Sequence, residues 1–145
     1  APVSAAGAAA IVGPSRPRFP GPFLNRLSVV IITLDEADDL PRCLHSVEWA
    51  DEIVVVDSGS TDDTPELCRA HPKVRLVEQA FLGYGPQKRF AVAQASHDWI
   101  LSLDADEVVS PVLAGEIQAL LAADTTPLAG ATLARSSTPD TTKND

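Results

Sequence analysis

Acidic residues follow three apolar runs of the sequence at the point where each run ends. They are Asp35 and Glu36 after the first run, Asp57 after the second, and Asp104, Asp106 and Glu107 after the third. In a parallel sheet, ligands bind outside the carboxyl ends of the strands, so these acids would share one edge. Independent surface acids would not be expected to choose the same edge three times. The pattern therefore predicts a binding site built from carboxylates.

Asp104 and Asp106 are the sharpest part of this pattern because a single residue separates them at the end of an apolar strand. Carboxylate oxygens in such a place suit Mg²⁺ or Mn²⁺, which can also hold a diphosphate. The alternative is that these acids merely end a strand and cap the turn before Ser110. Because two other strands also end in acidic residues, metal binding is favoured over a purely structural role. We therefore predict a divalent cation as cofactor.

Asp57 lies in the segment VVVDSGSTDDT, where Gly59 allows a sharp turn. A carboxylate there could accept hydrogen bonds from a base N–H or from ribose hydroxyls. The segment lacks the GxGxxG and GxxxxGK[ST] patterns, which disfavours dinucleotide and P-loop sites. The polar residues that follow are interpreted as N-caps of a helix rather than as ligands; they are Ser60, Thr61, Asp62 and Thr64.

Lys88 and Arg89 follow a glycine-bearing loop and precede the third acidic strand end. One of them could contact a base carbonyl or a phosphate. The alternative is an ordinary solvated basic pair at the start of a helix. Cys43 and Cys68 show no metal-ligand spacing, so we expect them to be buried apolar residues.

The segments that must position these residues alternate between strands and helices. Apolar runs predict strands at residues 27–32, 52–57, 74–77 and 99–104; helical periodicity and capping residues predict helices over 40–47, after Pro65, over 87–95 and after Ser110-Pro111, with a loop at 81–86. Such alternation predicts an α/β fold with a mostly parallel sheet and right-handed crossovers.

Composition divides the chain into three parts. Residues 1–26 are rich in Ala, Pro and Gly and are predicted to be a flexible arm. Residues 27–123 form the predicted domain. Residues 124–145 are polar without periodicity and are predicted to be a disordered tail.

The charge balance limits the partners of this chain. Its 145 residues carry a formal net charge of -9 and no Lys/Arg run, so nucleic acid is not expected as a partner. An acidic chain that binds a polyanion needs a cation to offset the repulsion. The sequence contains no apolar run of the ~20 residues that a membrane span needs and no secretory signal pattern, so we expect a cytoplasmic location.

Three segments together resemble family 2 glycosyltransferases of the GT-A fold, in particular the bacterial lipopolysaccharide-core β-1,4-glucosyltransferases that use UDP-glucose. The segments are LSVVIITLDEADDLPRCLHSVEWADEIVVVDSGSTDDT, FLGYGPQKRFAVAQA and DWILSLDADEVVSP. The resemblance implies a Rossmann-like sheet sandwiched by helices. It also implies transfer of a sugar with inversion, glucose being expected, from a UDP-sugar to a glycan or lipopolysaccharide-core acceptor, with peripheral contact at the inner membrane.

The resemblance also implies roles for individual residues. Glu36 and Asp57 match the acids that hold the uridine, and Asp104 and Asp106 match the acids that hold ribose and the diphosphate-bound metal. Lys88, or Arg89 beside it, matches a basic position that reaches the nucleotide. The metal would neutralise charge that grows on the departing UDP.

Two departures from the family pattern bear on activity. Relatives usually read T-K-N-E where this chain has Thr33-Leu34-Asp35-Glu36, so weaker donor binding is expected. Relatives also continue into an acceptor pocket with a general-base carboxylate, and we expect this chain to hold only the donor-binding half, truncated before the acceptor half. Glu107 and Glu116 are conceivable bases that nothing positive supports, so the catalytic residue is unassigned.

Two alternative functions stay open. One is a non-catalytic nucleotide-sugar binder or an unstable fragment. The other is a nucleotidyltransferase, which the absence of a Gly-rich, Lys/Arg-bearing loop after the first strand disfavours.

Self-association is a separate prediction, because without the acceptor half an apolar face of the sheet would be uncovered.

Overall fold

The computed structural model describes residues 9–13 and 25–122 of the protein. Within them lies one five-stranded sheet with the order β1-β5-β2-β3-β4. Its strands are β1 Ala10–Val12, β2 Leu27–Thr33, β3 Glu52–Asp57, β4 Val74–Glu78 and β5 Trp99–Asp104; the helices are α1 Leu40–Ser46, α2 Thr64–Ala70, α3 Tyr84–Ala93 and α4 Pro111–Ala122. β2 to β5 pair in parallel and β1 pairs antiparallel with β5. The predicted α/β fold with a mostly parallel sheet is confirmed.

Strands β2 and β3 are apolar in their middle because helices cover both faces of the sheet. Val29 and Ile31 of β2 pack in one core cluster with Ile117 of α4. Val30, between them, packs in a second cluster with Ala91 of α3. Since successive side chains of a strand point to opposite faces, a strand covered on both sides is apolar at consecutive positions, and its polar residues lie towards its ends.

The register of the sheet brings the acidic strand ends together. Thr33 at the end of β2 lies opposite Asp57 of β3. Ile32 of β2 lies opposite Asp104 of β5. The carboxyl ends of the three strands therefore meet at one edge, as the sequence predicted.

Helix α3 begins three residues earlier than the sequence predicts. Gly85 and Pro86 were expected in a loop, but they belong to the first turn of α3, which starts at Tyr84. The first backbone N–H groups of a helix have no partner within it, so a proline is tolerated there. The N–H of Gln87 donates to the carbonyl of Gly83, 2.8 Å away, and closes this first turn.

Strand β1 corrects the prediction of a flexible arm over residues 1–26. Ile11 is 1% exposed and pairs with Leu101 of β5. Gly13 packs directly against the Trp99 ring, and a Cβ atom at this position would lie 3.0 Å from a ring carbon. The short apolar run that forms β1 is hidden in the Ala-rich composition around it. The rest of the predicted arm, residues 1–8 and 14–24, and the predicted tail over 124–145 lie outside the described residues.

Two other expectations concern the core and the membrane. Cys43 and Cys68 are free and buried, as predicted. Among the helices that the structure describes, none combines the length and the apolar character needed to cross a membrane.

Glu52 ties together the amino edge of the sheet. Its Oε1 accepts hydrogen bonds from Ser28 Oγ at 2.7 Å and from the Ser96 N–H at 2.9 Å, and its Oε2 accepts from Ser96 Oγ at 2.8 Å. The Arg75 guanidinium lies 3.3 Å from the same oxygen. Burial alone would raise the pKa of Glu52, but the bonds from Ser28, Ser96 and Arg75 outweigh it and lower the pKa to about 2. The ionised carboxylate thus links three segments of the chain.

Substituting Ile11→Ala tests whether β1 belongs to the folded domain. A fully buried isoleucine loses transfer free energy and leaves a cavity when it is truncated, so we expect the free energy of unfolding to fall by about 2–4 kcal/mol. Urea denaturation measures this change. Val12→Ala removes a half-buried side chain from the same strand and should cost less. Equal and negligible effects of both changes would contradict the packing of β1.

Glu52 predicts how stability depends on pH. Because folding lowers its pKa, its contribution is present above pH 4.5 and is lost as the pH falls towards about 2. We expect Glu52→Gln to remove on the order of 2 kcal/mol of stability at pH 7 and much less at pH 2.5, measured by urea unfolding at both values. Glu66→Gln changes an exposed glutamate and serves as control. An unchanged pH dependence in Glu52→Gln would refute this assignment.

Candidate functional site

Asp57 shapes the turn that follows β3. The residue is 1% exposed, and its Oδ2 accepts hydrogen bonds from the N–H groups of Gly59 at 3.0 Å and Ser60 at 2.8 Å. Its Oδ1 accepts from the Ser60 hydroxyl. Gly59 has φ 103°, a conformation that side chains rarely adopt. The sequence predicted a ligand contact for Asp57, and the structure adds a structural task that the same carboxylate performs.

Asp35 fastens the loop after β2 to the loop after β3. It has φ 53°, a left-handed conformation that Asp and Asn adopt more readily than most residues. Its carboxylate accepts hydrogen bonds from the N–H groups of Thr61 at 2.7 Å and Asp62 at 3.3 Å. Its own N–H donates to Ser60 Oγ at 2.7 Å. Asp35 therefore performs a task that Asn could share, since either side chain presents an acceptor oxygen.

The residues predicted to cap α2 divide into two groups. Asp62 accepts from the N–H of Thr64 at 2.9 Å, which is a capping role. Ser60 and Thr64 instead accept hydrogen bonds from the β2–α1 loop, Thr64 Oγ1 from the Glu36 N–H at 3.1 Å. The capping interpretation is thus wrong for Ser60 and Thr64. Ser60 Oγ accepts the Asp35 N–H, so the two hydroxyl groups hold the β2–α1 loop beside the turn of Asp57.

Asp104 has a protein partner at each carboxylate oxygen. Lys88 Nζ lies 2.9 Å from Oδ1 as an ion pair, and Tyr84 donates its hydroxyl to Oδ2 at 2.6 Å. Lys88 Nζ also lies 5.0 Å from the centre of the Tyr84 ring. Tyr84 and Lys88 are four residues apart on α3, so they share one face of the helix. The structure selects Lys88 over Arg89, which is exposed and makes no ion pair among the described residues.

Tyr84 is a site residue that the sequence reasoning missed. The interpretation of residues 81–86 as a loop concealed its helical spacing to Lys88, which was the available signal. The Tyr84 side chain is largely exposed, but its hydroxyl is partly shielded from water; this shielding, and then the hydrogen bond to Asp104, raise the pKa of Tyr84 above its ordinary value. The hydroxyl therefore stays protonated and donates at neutral pH.

Two carboxyl groups at this edge, those of Glu107 and Glu36, have a raised pKa. Burial raises the pKa of Glu107 to about 7, and the charges of Asp104 and Asp106 add to the increase while that of Lys88 opposes it. Burial also raises the pKa of Glu36, and Asp106 and Asp104 contribute. Glu107 Oε1 accepts the Asp104 N–H at 2.9 Å. The edge is a region of negative potential that attracts cations.

Gln87 supports the site from beneath and was also missed. It is fully buried, and its Oε1 accepts the Leu82 N–H at 2.9 Å. Its Nε2 donates to Ser58 Oγ at 3.1 Å and to the Gln79 carbonyl at 3.2 Å. One amide thus joins the loop before α3 to the turn after β3. The local sequence does not indicate this role, because the contact with Ser58 joins residues 29 positions apart.

The rim of the site is apolar. Within residues 9–13 and 25–122, the large apolar side chains that are exposed all come after the carboxyl end of a strand: Leu34, Phe81, Leu82, Tyr84, Val108 and Val112. The carboxylates and Lys88 lie among them. The edge thus combines charged side chains with exposed apolar side chains around them.

The fit of a divalent cation depends on Asp104 and Asp106. In residues 9–13 and 25–122, no group of three or more His, Cys, Asp or Glu side chains is arranged so that it could hold a metal ion by itself. Mg²⁺ is commonly bound by one or two carboxylates together with substrate phosphates. Asp106 is exposed, and Asp104 has Lys88 and Tyr84 as partners. Two carboxylates are therefore too few to hold the ion alone, and a bound diphosphate would have to complete its coordination.

The sequence matches a known family over most of its length. The family model described as "Glycosyl transferase family 2" matches residues 28–144. The lipopolysaccharide core biosynthesis glycosyltransferase LpsC of Rhizobium meliloti (strain 1021) is 41% identical to this chain over 101 residues, which are 67% of this chain and 37% of that protein. The chain thus spans little more than a third of the length of this curated relative.

Two solved structures share the fold. The mannosyltransferase PcManGT from Pyrobaculum calidifontis, in complex with GDP-Man and Mn²⁺, has a TM-score of 0.57 and 28% identity, covering 69% of this chain and 32% of that one. S. aureus TarS, residues 1–349, has a TM-score of 0.56 and 24% identity, covering 65% and 31%, and supports the fold alone. The acidic edge, the parallel sheet and these matches together establish that the chain belongs to glycosyl transferase family 2, with the GT-A fold.

Proposed function

We propose that this chain forms the donor-binding part of an inverting glycosyltransferase. The donor would be a UDP-sugar, UDP-glucose in the first instance, and the acceptor a glycan or a lipopolysaccharide core. One observation carries the proposal: Asp57, Asp104 and Lys88 meet with Glu36 and Asp106 at a single edge of the sheet. An edge with both acidic and basic groups suits a ligand that has a neutral base and a charged diphosphate.

The nucleoside would lie over the turns after β2 and β3. Glu36 is half-buried, and its backbone is fixed by Thr64, so its carboxylate can accept from a base N–H or a ribose hydroxyl. The Asp57 carboxylate already holds the turn through Gly59 and Ser60, and its free lone pairs would accept hydrogen bonds from the nucleoside. Their fixed positions lower the entropy cost of binding.

The diphosphate would lie near the end of β5. Asp104 and Asp106 would hold Mg²⁺ or Mn²⁺, which when bound supplies charge neutralisation for the departing nucleoside diphosphate. Lys88 offers a second positive charge and three donors to the phosphate oxygens. The Tyr84 hydroxyl holds the Asp104 carboxylate in a fixed orientation.

Two matches support the class of donor and acceptor. The name of LpsC supports an acceptor in lipopolysaccharide core biosynthesis. The complex of PcManGT with GDP-Man and Mn²⁺ supports a nucleotide-diphospho-sugar bound with a divalent cation, although its base is guanine. The preference for uridine over guanosine is thus the finer part of this proposal.

Transfer with inversion needs a base that deprotonates the acceptor hydroxyl. A base works best when its pKa lies near the working pH, and Glu107 has a pKa of about 7. Its Oε1 is engaged with the Asp104 N–H, however, which favours a structural role. We assign no residue as the base, and binding of the donor without transfer is the alternative function of this chain.

The acceptor also bears on location and assembly. A lipopolysaccharide core is anchored in a membrane, so we propose a cytoplasmic protein that meets the inner membrane peripherally. Self-association through an uncovered apolar face of the sheet stays a prediction.

Titration calorimetry tests the donor site. We expect UDP and UDP-glucose to bind in the presence of Mn²⁺ and to lose most of their affinity in EDTA. Asp106→Asn should weaken the metal-dependent binding at least about tenfold because it removes a charged ligand of the cation. Asp63→Asn, which changes an exposed acid without a side-chain capping bond, is the control.

GDP and GDP-mannose in parallel titrations separate the outcomes. Binding of guanosine nucleotides in preference to uridine nucleotides would overturn the uridine part of the proposal. A chain that is folded by circular dichroism and binds neither nucleotide would overturn the donor site itself.

Asp35 tests what its departure from the family pattern costs. We expect Asp35→Asn to leave the free energy of unfolding within about 0.5 kcal/mol, since Asn also adopts left-handed backbone and presents an acceptor oxygen. It should bind UDP with Mn²⁺ as well as or better than the parent chain because one negative charge is removed. Asp35→Ala should lower the free energy of unfolding by about 1–3 kcal/mol because the N–H groups of Thr61 and Asp62 lose their acceptor. Urea denaturation and calorimetry measure both effects; equal damage by the two changes would contradict this explanation.

A further inference from the structure

We infer that Lys88 is a resident counterion of Asp104 that excludes the divalent cation, so that metal binding at Asp104 releases the Lys88 ammonium towards the diphosphate. The inference rests on the proposed function and adds a coupling between metal and nucleotide. It concerns one ion pair, Lys88 Nζ to Asp104 Oδ1 at 2.9 Å.

The two cations compete for one carboxylate. Tyr84 donates to Oδ2 of Asp104, so the ammonium occupies the other oxygen. A Mg²⁺ ion binds a carboxylate oxygen at about 2.0–2.1 Å. An ammonium held at 2.9 Å from that oxygen would lie next to such an ion, and the two positive charges would repel each other. Each carboxylate oxygen keeps a second lone pair, but a metal ion bound there would lie beside the ammonium, so charge repulsion disfavours simultaneous binding of the two cations.

The surroundings make this competition strong. The side chains of Lys88 and Asp104 are only 23% and 18% exposed, so water screens their attraction less than at an open surface. Glu107 lies beside Asp104, since its Oε1 accepts the Asp104 N–H at 2.9 Å, and adds negative charge to the same edge. Without a bound metal, Lys88 is the cation that neutralises Asp104. Its departure is favourable only when another cation takes its place.

The Lys88 side chain can leave without unfolding the site. A lysine has a flexible stem and a compact charge, unlike the planar fork of arginine. The stem rises from α3, and the ammonium lies 5.0 Å from the Tyr84 ring centre, a distance at which an aromatic face attracts a cation. Tyr84 keeps its own bond to Oδ2 and would hold Asp104 in place during the exchange.

Coupling between metal and nucleotide follows from this exchange. Metal alone must displace Lys88 and leave its ammonium without a partner. When a nucleoside diphosphate accompanies the metal, the displaced ammonium pairs with phosphate oxygens. Metal and nucleotide should therefore bind with positive cooperativity, each raising the affinity for the other by the same factor.

Electron paramagnetic resonance of free Mn²⁺ tests the inference without a nucleotide or any turnover. We expect Lys88→Met to bind Mn²⁺ alone about tenfold or more tightly than the parent chain, because the competing charge is gone. Lys88→Arg, which keeps a positive charge, should stay close to the parent, and Arg89→Met controls for the loss of charge one residue along the same helix. In calorimetry, Lys88→Met should show weaker cooperativity between Mn²⁺ and UDP than the parent chain, and direct coordination of the metal by the diphosphate should supply the part that remains. A gain in metal affinity on removal of a site residue is not expected from mere structural damage.

The possible outcomes separate this inference from the proposed function. If Lys88→Met binds Mn²⁺ no more tightly than the parent chain while UDP still binds with Mn²⁺ and Asp106→Asn abolishes that binding, the inference is overturned and the donor site stands. If Arg89→Met gains as much affinity as Lys88→Met, a general charge effect replaces the specific pair and the inference is overturned. If neither Mn²⁺ nor UDP binds to the parent chain or to Lys88→Met, both proposals fail.

Discussion

The register of β2 between β3 and β5 is the constraint on which the site depends. β2 is buried on both faces, so its position is fixed by apolar packing above and below the sheet as well as by the ladder. A slip of one residue would turn each of its side chains to the opposite face. With the register as it is, Thr33 lies opposite Asp57 and Ile32 opposite Asp104. The core thereby brings carboxylates from separate parts of the chain to one edge.

Such an edge concentrates negative charge, and the structure balances it with a small number of groups. Lys88 pairs with Asp104, and burial together with neighbouring acids raises the pKa of Glu107 to about 7. At the opposite edge the pKa shift has the other sign, because hydrogen bonds to Glu52 lower its pKa to about 2. The amino edge therefore uses its carboxylate to hold the fold together. The carboxyl edge retains charges that a ligand with a cation can use.

The loops at the carboxyl edge depend on each other. Asp35, in a left-handed conformation, accepts hydrogen bonds from the loop after β3, and Ser60 and Thr64 accept from the loop after β2. Gln87 extends this network to the loop before α3. Positions that depart from the usual family pattern can thus keep their structural task, as Asp35 does, because the shape of the loop needs an acceptor oxygen and a tolerant backbone rather than one particular residue.

The sequence by itself determined the α/β class, the four parallel strands and the shared edge of Glu36, Asp57, Asp104 and Asp106, because apolar runs and helical periodicity are local properties. Local patterns failed where long-range contacts decide. Strand β1 depends on contacts with residues distant in sequence: Ile11 pairs with Leu101, and Gly13 packs against Trp99. Likewise, only the tertiary structure decided that Lys88 rather than Arg89 pairs with Asp104, and that Tyr84 joins them, because the rotation of α3 relative to β5 is set by packing against the sheet.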